Sequence, residues 1–407
     1  MYTIDGGRGS RIHALVVGVG AYPHCGSAVS EEASPWSLLH SVDEVLTCAP
    51  LSATHVARWL IEADWSKSDV KLGTVDVLLS SKFAVHWPKD LPHPVPEQAV
   101  YDNVRAAWRR WVASCDQAED NIALLYFCGH GWGGDAQRYL LVEDLAEDIV
   151  DWKTRLIDFT RTRRSMRACK ALTQCFFLDT CSDQPDELGD WACDLSAPDL
   201  IADAPQAARR TQERLDTRVH NPVFTPTPRG FPSNVDPGNV TPFADALVRT
   251  LDGLGADTAG ASWVVRTTEL RGRFADVLRW YWPTPPSGDA LSGELPDSGR
   301  DTVLRRLSKA PKVPFRLDCH PGSARSHAKW ELQCHQTSST YSHGPGRTDK
   351  WDSETRASAY ELTVRFDDGV HETLTQPGKI IYPPSHDETV EIDLLTPSSR
   401  RAGELGR

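Results

Sequence analysis

The chain has 407 residues and a formal net charge of −12, with 40% apolar and 25% charged residues. That length allows two domains with ample core. The acidic balance excludes nucleic acid as the main partner, because no basic field is there to gather phosphates. No apolar run approaches the roughly 18 residues of a membrane span, and ALVVGV (14–19) is too short for the core of a secretory leader. Ten cysteines in a chain this long do not form a disulfide framework, and two of them, Cys128 and Cys175, sit inside apolar runs as buried free thiols do. A reducing cytoplasm is the expected compartment, and an arginine-rich, methionine-poor composition points to a GC-rich bacterial genome.

In chain order, RIHALVVGVGAY (11–22) opens as a buried strand and 20–50 follows as a long Pro, Ser and Gly-interrupted loop. Leu51, Val56, Trp59 and Leu60 give helical spacing over 51–63, and 75–79 returns as a strand. Pro88, Pro92, Pro94 and Pro96 break the chain before a helix over 97–113 with Val100, Val104, Trp108 and Trp111 on one face. Apolar runs IALLYF and CFFL mark two further strands, with a short one at 139–142 and a helix over 150–168 between them. That helix carries Arg161, Arg163, Arg164 and Arg167, a solvated basic face whose alternative is a protease-sensitive site.

From 183 to 238 the pattern dissolves into Asp, Pro, Ala and Arg, with a strand near 223–225. Helix 242–251, strand 262–266 and helix 269–281 follow, and 284–311 reads as a Pro/Gly-rich linker. Beyond it, 315–318, 329–335, 360–366, 371–374, 380–382 and 390–394 are short strands separated by turns. The expected architecture is an α/β domain over 1–283 with a mostly parallel sheet between helices, then a small sandwich-like β domain over 312–396 and a tail at 397–407. Within the first domain, 10–182 forms a large part, 183–238 a loop and 239–283 a small part.

Two stretches carry the chemistry: NIALLYFCGHGWGG (121–134) and QCFFLDTCSDQP (174–185). Each closes a buried strand on a reactive side chain, His130 between two glycines and Cys181 after Asp179 and Thr180. In open parallel sheets, ligands and catalytic groups collect at the carboxyl ends of the strands. Two such strands side by side bring an imidazole to a thiol, the pairing that activates a cysteine nucleophile. A lone strand-end cysteine is more often a packed small hydrophobe, and a lone Gly-His-Gly is common. It is their joint occurrence, in this order and 51 residues apart, that carries the reading.

At these residues the chain resembles the caspase-like cysteine peptidases, the superfamily of caspases and metacaspases. The matching pieces are RIHALVVGVGAY, YFCGHGWG, FFLDTCS and PFADALVRTLDGLGADTAG (242–260), and the resemblance spans about 11–282. It implies a caspase-hemoglobinase-like fold and a peptidase in which Cys181 attacks the scissile carbonyl, His130 handles the proton, and backbone N–H groups of Gly131 and Cys181 hold the oxyanion. Asp179 stands where metacaspases keep an acid in the S1 pocket, which implies a preference for Arg or Lys at P1. The sequence departs from the family twice: Cys181 is followed by Ser-Asp-Gln-Pro where metacaspases read His-Ser-Gly, and APLSAT (49–54) stands where Gly-x-x-Asn-Asp-Ala is usual.

No cofactor is expected. The acidic run Asp183, Asp186, Glu187, Asp190 and Asp194 is the one place suggestive of Ca²⁺, and it lacks the fixed spacing of a calcium loop. Cys319-His320 and Cys334-His335 fit no common zinc spacing, since neighbours on a strand point to opposite faces. The expected partners are a peptide or protein substrate and, through the β domain, a regulatory protein, with no membrane. Two alternatives stand beside the endopeptidase: an inactive caspase-like scaffold, and another α/β thiol hydrolase acting on amides.

Overall fold

The computed structural model describes residues 1–4, 9–26, 39, 42–83, 87–133, 137–148, 151–180, 219–226, 238–283, 291–292, 300–346 and 349–394. It divides into two compact units, Met1–Arg249 with Val265–Arg306, and Thr250–Val264 with Leu307–Arg407.

The first unit is built on a seven-stranded sheet. In chain order its strands are β1 (Tyr2–Thr3), β2 (Arg11–Gly20), β3 (Lys71–Ser81), β4 (Ile122–Gly129) and, after a short three-stranded sheet of β5 (Gly131–Gly133), β6 (Arg138–Leu141) and β7 (Leu156–Asp158), β8 (Thr173–Thr180) and β9 (Val223–Pro226). Across the sheet the order is β1-β3-β2-β4-β8-β9, closed by the two-residue strand at Leu291–Ser292. The pairs β3–β2, β2–β4, β4–β8 and β8–β9 are parallel, and the two outermost strands run antiparallel. All eight residues of β4 are buried, as both-face coverage of a parallel sheet requires.

Helices cover both faces. Helix α1 (Cys48–Glu62) buries Ala49, Ser52, Ala53, Val56, Ala57 and Leu60 along one stripe. It lies so close to β2 that a Cβ at Gly18 would stand 2.7 Å from the Ala53 Cβ and 2.8 Å from the Ala49 carbonyl, so only glycine fits there. Helix α2 (Tyr101–Cys115) packs Trp108 and Trp111, edge to face with each other, against the opposite side, in one core with Leu15, Val17, Leu125, Phe127, Phe176 and Leu178. The Trp111 indole N–H donates to the His13 carbonyl at 2.8 Å.

Alternate β8 residues turn to the α1 face, where Phe177 stacks on Phe224 and meets Phe274. Helices α4 (Pro242–Arg249) and α5 (Thr267–Tyr281) pack together there, joined by Phe243 against Phe274. Each such ring contributes about 1.5–3 kcal/mol by leaving water. Between β7 and β8 lies α3 (Phe159–Met166), shorter than the helix expected over 150–168. A 3₁₀ turn (Trp152–Arg155) and β7 take up the earlier residues, and Asp158 caps α3 by accepting from the Arg161 amide at 2.8 Å.

The second unit holds two further sheets. One is three-stranded, with Lys312–His320 flanked by Trp351–Arg356 antiparallel and His386–Glu391 parallel. The other is four-stranded and antiparallel, in the order Thr340–His343, Ala328–Cys334, Ser358–Phe366, Leu374–Ile381. Phe315, Leu317, Trp330, Leu332, Trp351 and Leu362 share one core. The strand Leu374–Ile381 fills the whole gap between the two short strands expected at 371–374 and 380–382, and Val303–Leu307 is a strand inside the stretch read as linker. Among the described residues, no helix is long and apolar enough to cross a membrane.

Candidate active site

The pairing of β4 with β8 is parallel and free of bulges, from Ile122↔Thr173 to Gly129↔Thr180. Every pair differs by 51 in residue number, the separation of His130 from Cys181. Both strands end together, and His130 is the next residue after β4. Cys181 lies outside the described residues, as do the loop 183–218, the acidic run Asp183–Asp194 and the Arg-rich stretch 209–218.

Four contacts orient His130. Its amide donates to the Tyr22 hydroxyl at 2.8 Å, and its carbonyl accepts from the Leu141 amide at 3.1 Å. The Tyr22 ring packs at 4.9 Å from the imidazole. Imidazole Nε2 sits 3.2 Å from the Asp43 carbonyl oxygen. A carbonyl only accepts, so Nε2 carries the hydrogen of this bond.

Gly131 begins β5, where a Cβ would lie 3.1 Å from the Thr180 Cβ and 3.2 Å from both the Thr180 hydroxyl and the Tyr139 carbonyl oxygen. The main chain after His130 therefore touches the residue that precedes Cys181. Thr180 is 2% exposed, and its hydroxyl has no partner among the described residues.

Asp179 closes the α1 face of β8, beside Cys128 in the register. Its Oδ2 accepts from the Tyr126 hydroxyl at 2.7 Å and from the Thr241 hydroxyl. Burial pushes this carboxyl up from 3.8 to about 6, although hydrogen bonds from Thr241, Tyr126 and Cys128 favour the ionised form. Burial likewise raises the Tyr126 hydroxyl and the Cys128 thiol well above their ordinary values, and the Asp179 charge adds to both. Thr241 is in turn bonded to Ser52 of α1, 3.2 Å between hydroxyls.

The other residues singled out from sequence stand apart from this site. Arg161 and Arg164 are exposed on α3, and the Arg163 guanidinium donates to the Asn221 carbonyl at 2.9 Å. Cys319 and Cys334 point into the second unit's core while His320 and His335 are exposed, so neither pair converges. The eight described cysteines are all buried free thiols, and no group of three metal-ligating side chains gathers among the described residues. Tyr22, the Asp43 carbonyl, Tyr126 and Thr241 are site residues that sequence reasoning did not assign. Of these, only Tyr126 had a local signal, since it alternates with Cys128 on a strand that ends just before His130.

No known protein family matches the chain, and no curated protein matches its sequence. Among solved structures it is similar to one described as the structure of pro-sf-caspase-1, at 11% identity and a TM-score of 0.36, covering 72% of this chain and 92% of that one. A likeness at that level leaves the functional reading to the residues themselves.

Proposed function

We propose that this chain is a cysteine endopeptidase of the caspase-like kind, acting through His130 and Cys181 and cutting after Arg or Lys. The observation that carries the proposal is the unbroken 51-residue offset between β4 and β8, which ends one residue short of His130 and of Cys181. The hydrogen bond from His130 Nε2 to the Asp43 carbonyl supports it, since it orients the imidazole.

In this reading His130 takes the proton of the Cys181 thiol, and the thiolate attacks the scissile carbonyl carbon. The tetrahedral oxyanion is held by the N–H groups of Gly131 and Cys181. It collapses to a thioester as His130 returns the proton to the leaving amine. Water, deprotonated by His130, then attacks the thioester and releases the acid and the thiol. Asp179 meets the P1 cation at the base of the pocket. No metal or cofactor enters any step. The second unit supplies no catalytic group and recruits a substrate or regulatory protein, and the buried free thiols suit a reducing cytoplasm.

A peptide-library cleavage profile on wild type and Cys181→Ala tests the proposal. Cleavage after Arg or Lys that disappears in the variant is the expected result. Turnover that persists in Cys181→Ala rules out the mechanism, and cleavage after Asp or bulky apolar residues with Arg and Lys refused rules out the role of Asp179.

A further inference from the structure

The Asp179 carboxyl is held by a hydrogen-bond chain that crosses four elements and whose proton directions are all determined. The Thr241 amide donates to the Ser52 hydroxyl oxygen at 2.9 Å, and the Ser52 hydroxyl donates back to Thr241 Oγ1 at 3.2 Å. Thr241 Oγ1 also accepts from the Ala244 amide at 3.1 Å, which makes Thr241 the capping residue of α4. A hydroxyl has two acceptor sites and one proton. With both acceptor sites taken, the Thr241 proton is committed to Asp179 Oδ2. The Tyr126 hydroxyl donates to the same oxygen. Ser52 is fully buried and Thr241 is 8% exposed, so water does not compete for these positions.

Two donors on Oδ2 have two consequences. They lock the rotation of the carboxyl group, to which the Cys128 thiol adds a further hydrogen bond. They also partly neutralise a buried anion that would otherwise be costly to keep charged. We propose that Ser52 and Thr241 are positioning residues of the P1 pocket, which present Asp179 as a single, pre-oriented anion for a guanidinium or ammonium group. The proposal rests on the reading of Asp179 as the P1 acid and adds to it the residues that make one carboxyl sufficient. On this account P1 charge selectivity depends on the junction of α1 with the start of α4.

The test uses the full chain and two matched peptides that differ only at P1, one with arginine and one with citrulline, its neutral isostere. Wild type is expected to prefer arginine. Thr241→Val is expected to lower the arginine-to-citrulline ratio of kcat/KM about tenfold, the equivalent of one hydrogen bond to a charged group, through KM and with kcat retained. Thr241→Ser keeps the hydroxyl and is expected to restore the ratio to within about twofold of wild type. Tyr126→Phe removes the second donor and should lower the ratio similarly, and Ser52→Ala, which leaves Thr241 in place, should lower it less. A thermal melt of each variant separates lost selectivity from lost folding, and Ser52→Ala decides the matter if Thr241→Val does not fold. A wild type that discriminates, with variants that keep the ratio, overturns this inference alone. A wild type that cleaves yet ignores P1 charge overturns the reading of Asp179 and the inference with it.

Discussion

Replacing Asp179 with asparagine should make the protein more stable at neutral pH and less selective. The Asp179 carboxyl is raised from 3.8 to about 6, chiefly by burial. The folded state therefore binds this proton more tightly than the unfolded chain does. Stability from this group is fully present below pH 3.8 and is lost as pH rises through about 6, after which it stays constant. At about 1.4 kcal/mol per pH unit, the gap between 3.8 and about 6 corresponds to roughly 3 kcal/mol. Asparagine keeps the shape and can accept both hydroxyls on its oxygen, but it carries no charge. The variant should thus match wild type near pH 4 and exceed it by up to about 3 kcal/mol near pH 7.5. Urea unfolding followed by tryptophan fluorescence at several pH values between those limits measures the difference. Other titrating groups, such as His13, which burial and the nearby Arg11 charge lower to about 4, cancel because both proteins contain them. A difference that does not change with pH, or an asparagine variant less stable at neutral pH, would refute the reasoning. On the proposed role of Asp179 as the P1 acid, the same substitution should abolish preference for arginine at P1, and the charge would be kept there at a cost in stability.

Cys181→Ala should end peptide cleavage and His130→Ala should reduce it by roughly a thousandfold or more, both with unchanged circular dichroism. Tyr22→Phe takes the acceptor from the His130 amide while leaving the ring contact; it should cost about 1–3 kcal/mol in urea unfolding and lower kcat more than KM. Phe177→Ala opens the stacked cluster with Phe224 and Phe274 and should cost about 3–5 kcal/mol of stability by the same measurement. In the second unit, Arg325→Met strips the bidentate partner from buried Asp318, held at 2.5 and 2.8 Å. That change should lower the thermal midpoint and leave short-peptide cleavage unaltered; a loss of cleavage in a folded variant would place a catalytic contribution in that unit.

The strands that carry the site were legible because their signal is local. IALLYF and CFFL are apolar runs of strand length, and a parallel sheet covered on both faces demands such runs. The 51-residue spacing was legible too, and the tertiary structure gave it meaning by pairing the two strands without a bulge. Where the sequence was misleading, the competing term was also local: a capping Asp158 starts α3 late, and Val303–Leu307 forms a strand inside a stretch whose composition reads as linker. Apart from Tyr126, the partners of His130 and Asp179 were not legible. Asp43 reaches His130 across 87 residues of chain, Tyr22 across 108, and Thr241 reaches Asp179 across 62 and Ser52 across 189. Periodicity records which face of an element is buried, because burial repeats every two or 3.6 residues. A hydrogen bond between side chains on different elements leaves no such repeat. Its partner is chosen by how helices settle on the sheet, and here the close seat of α1 on Gly18 and the cap of α4 decide it.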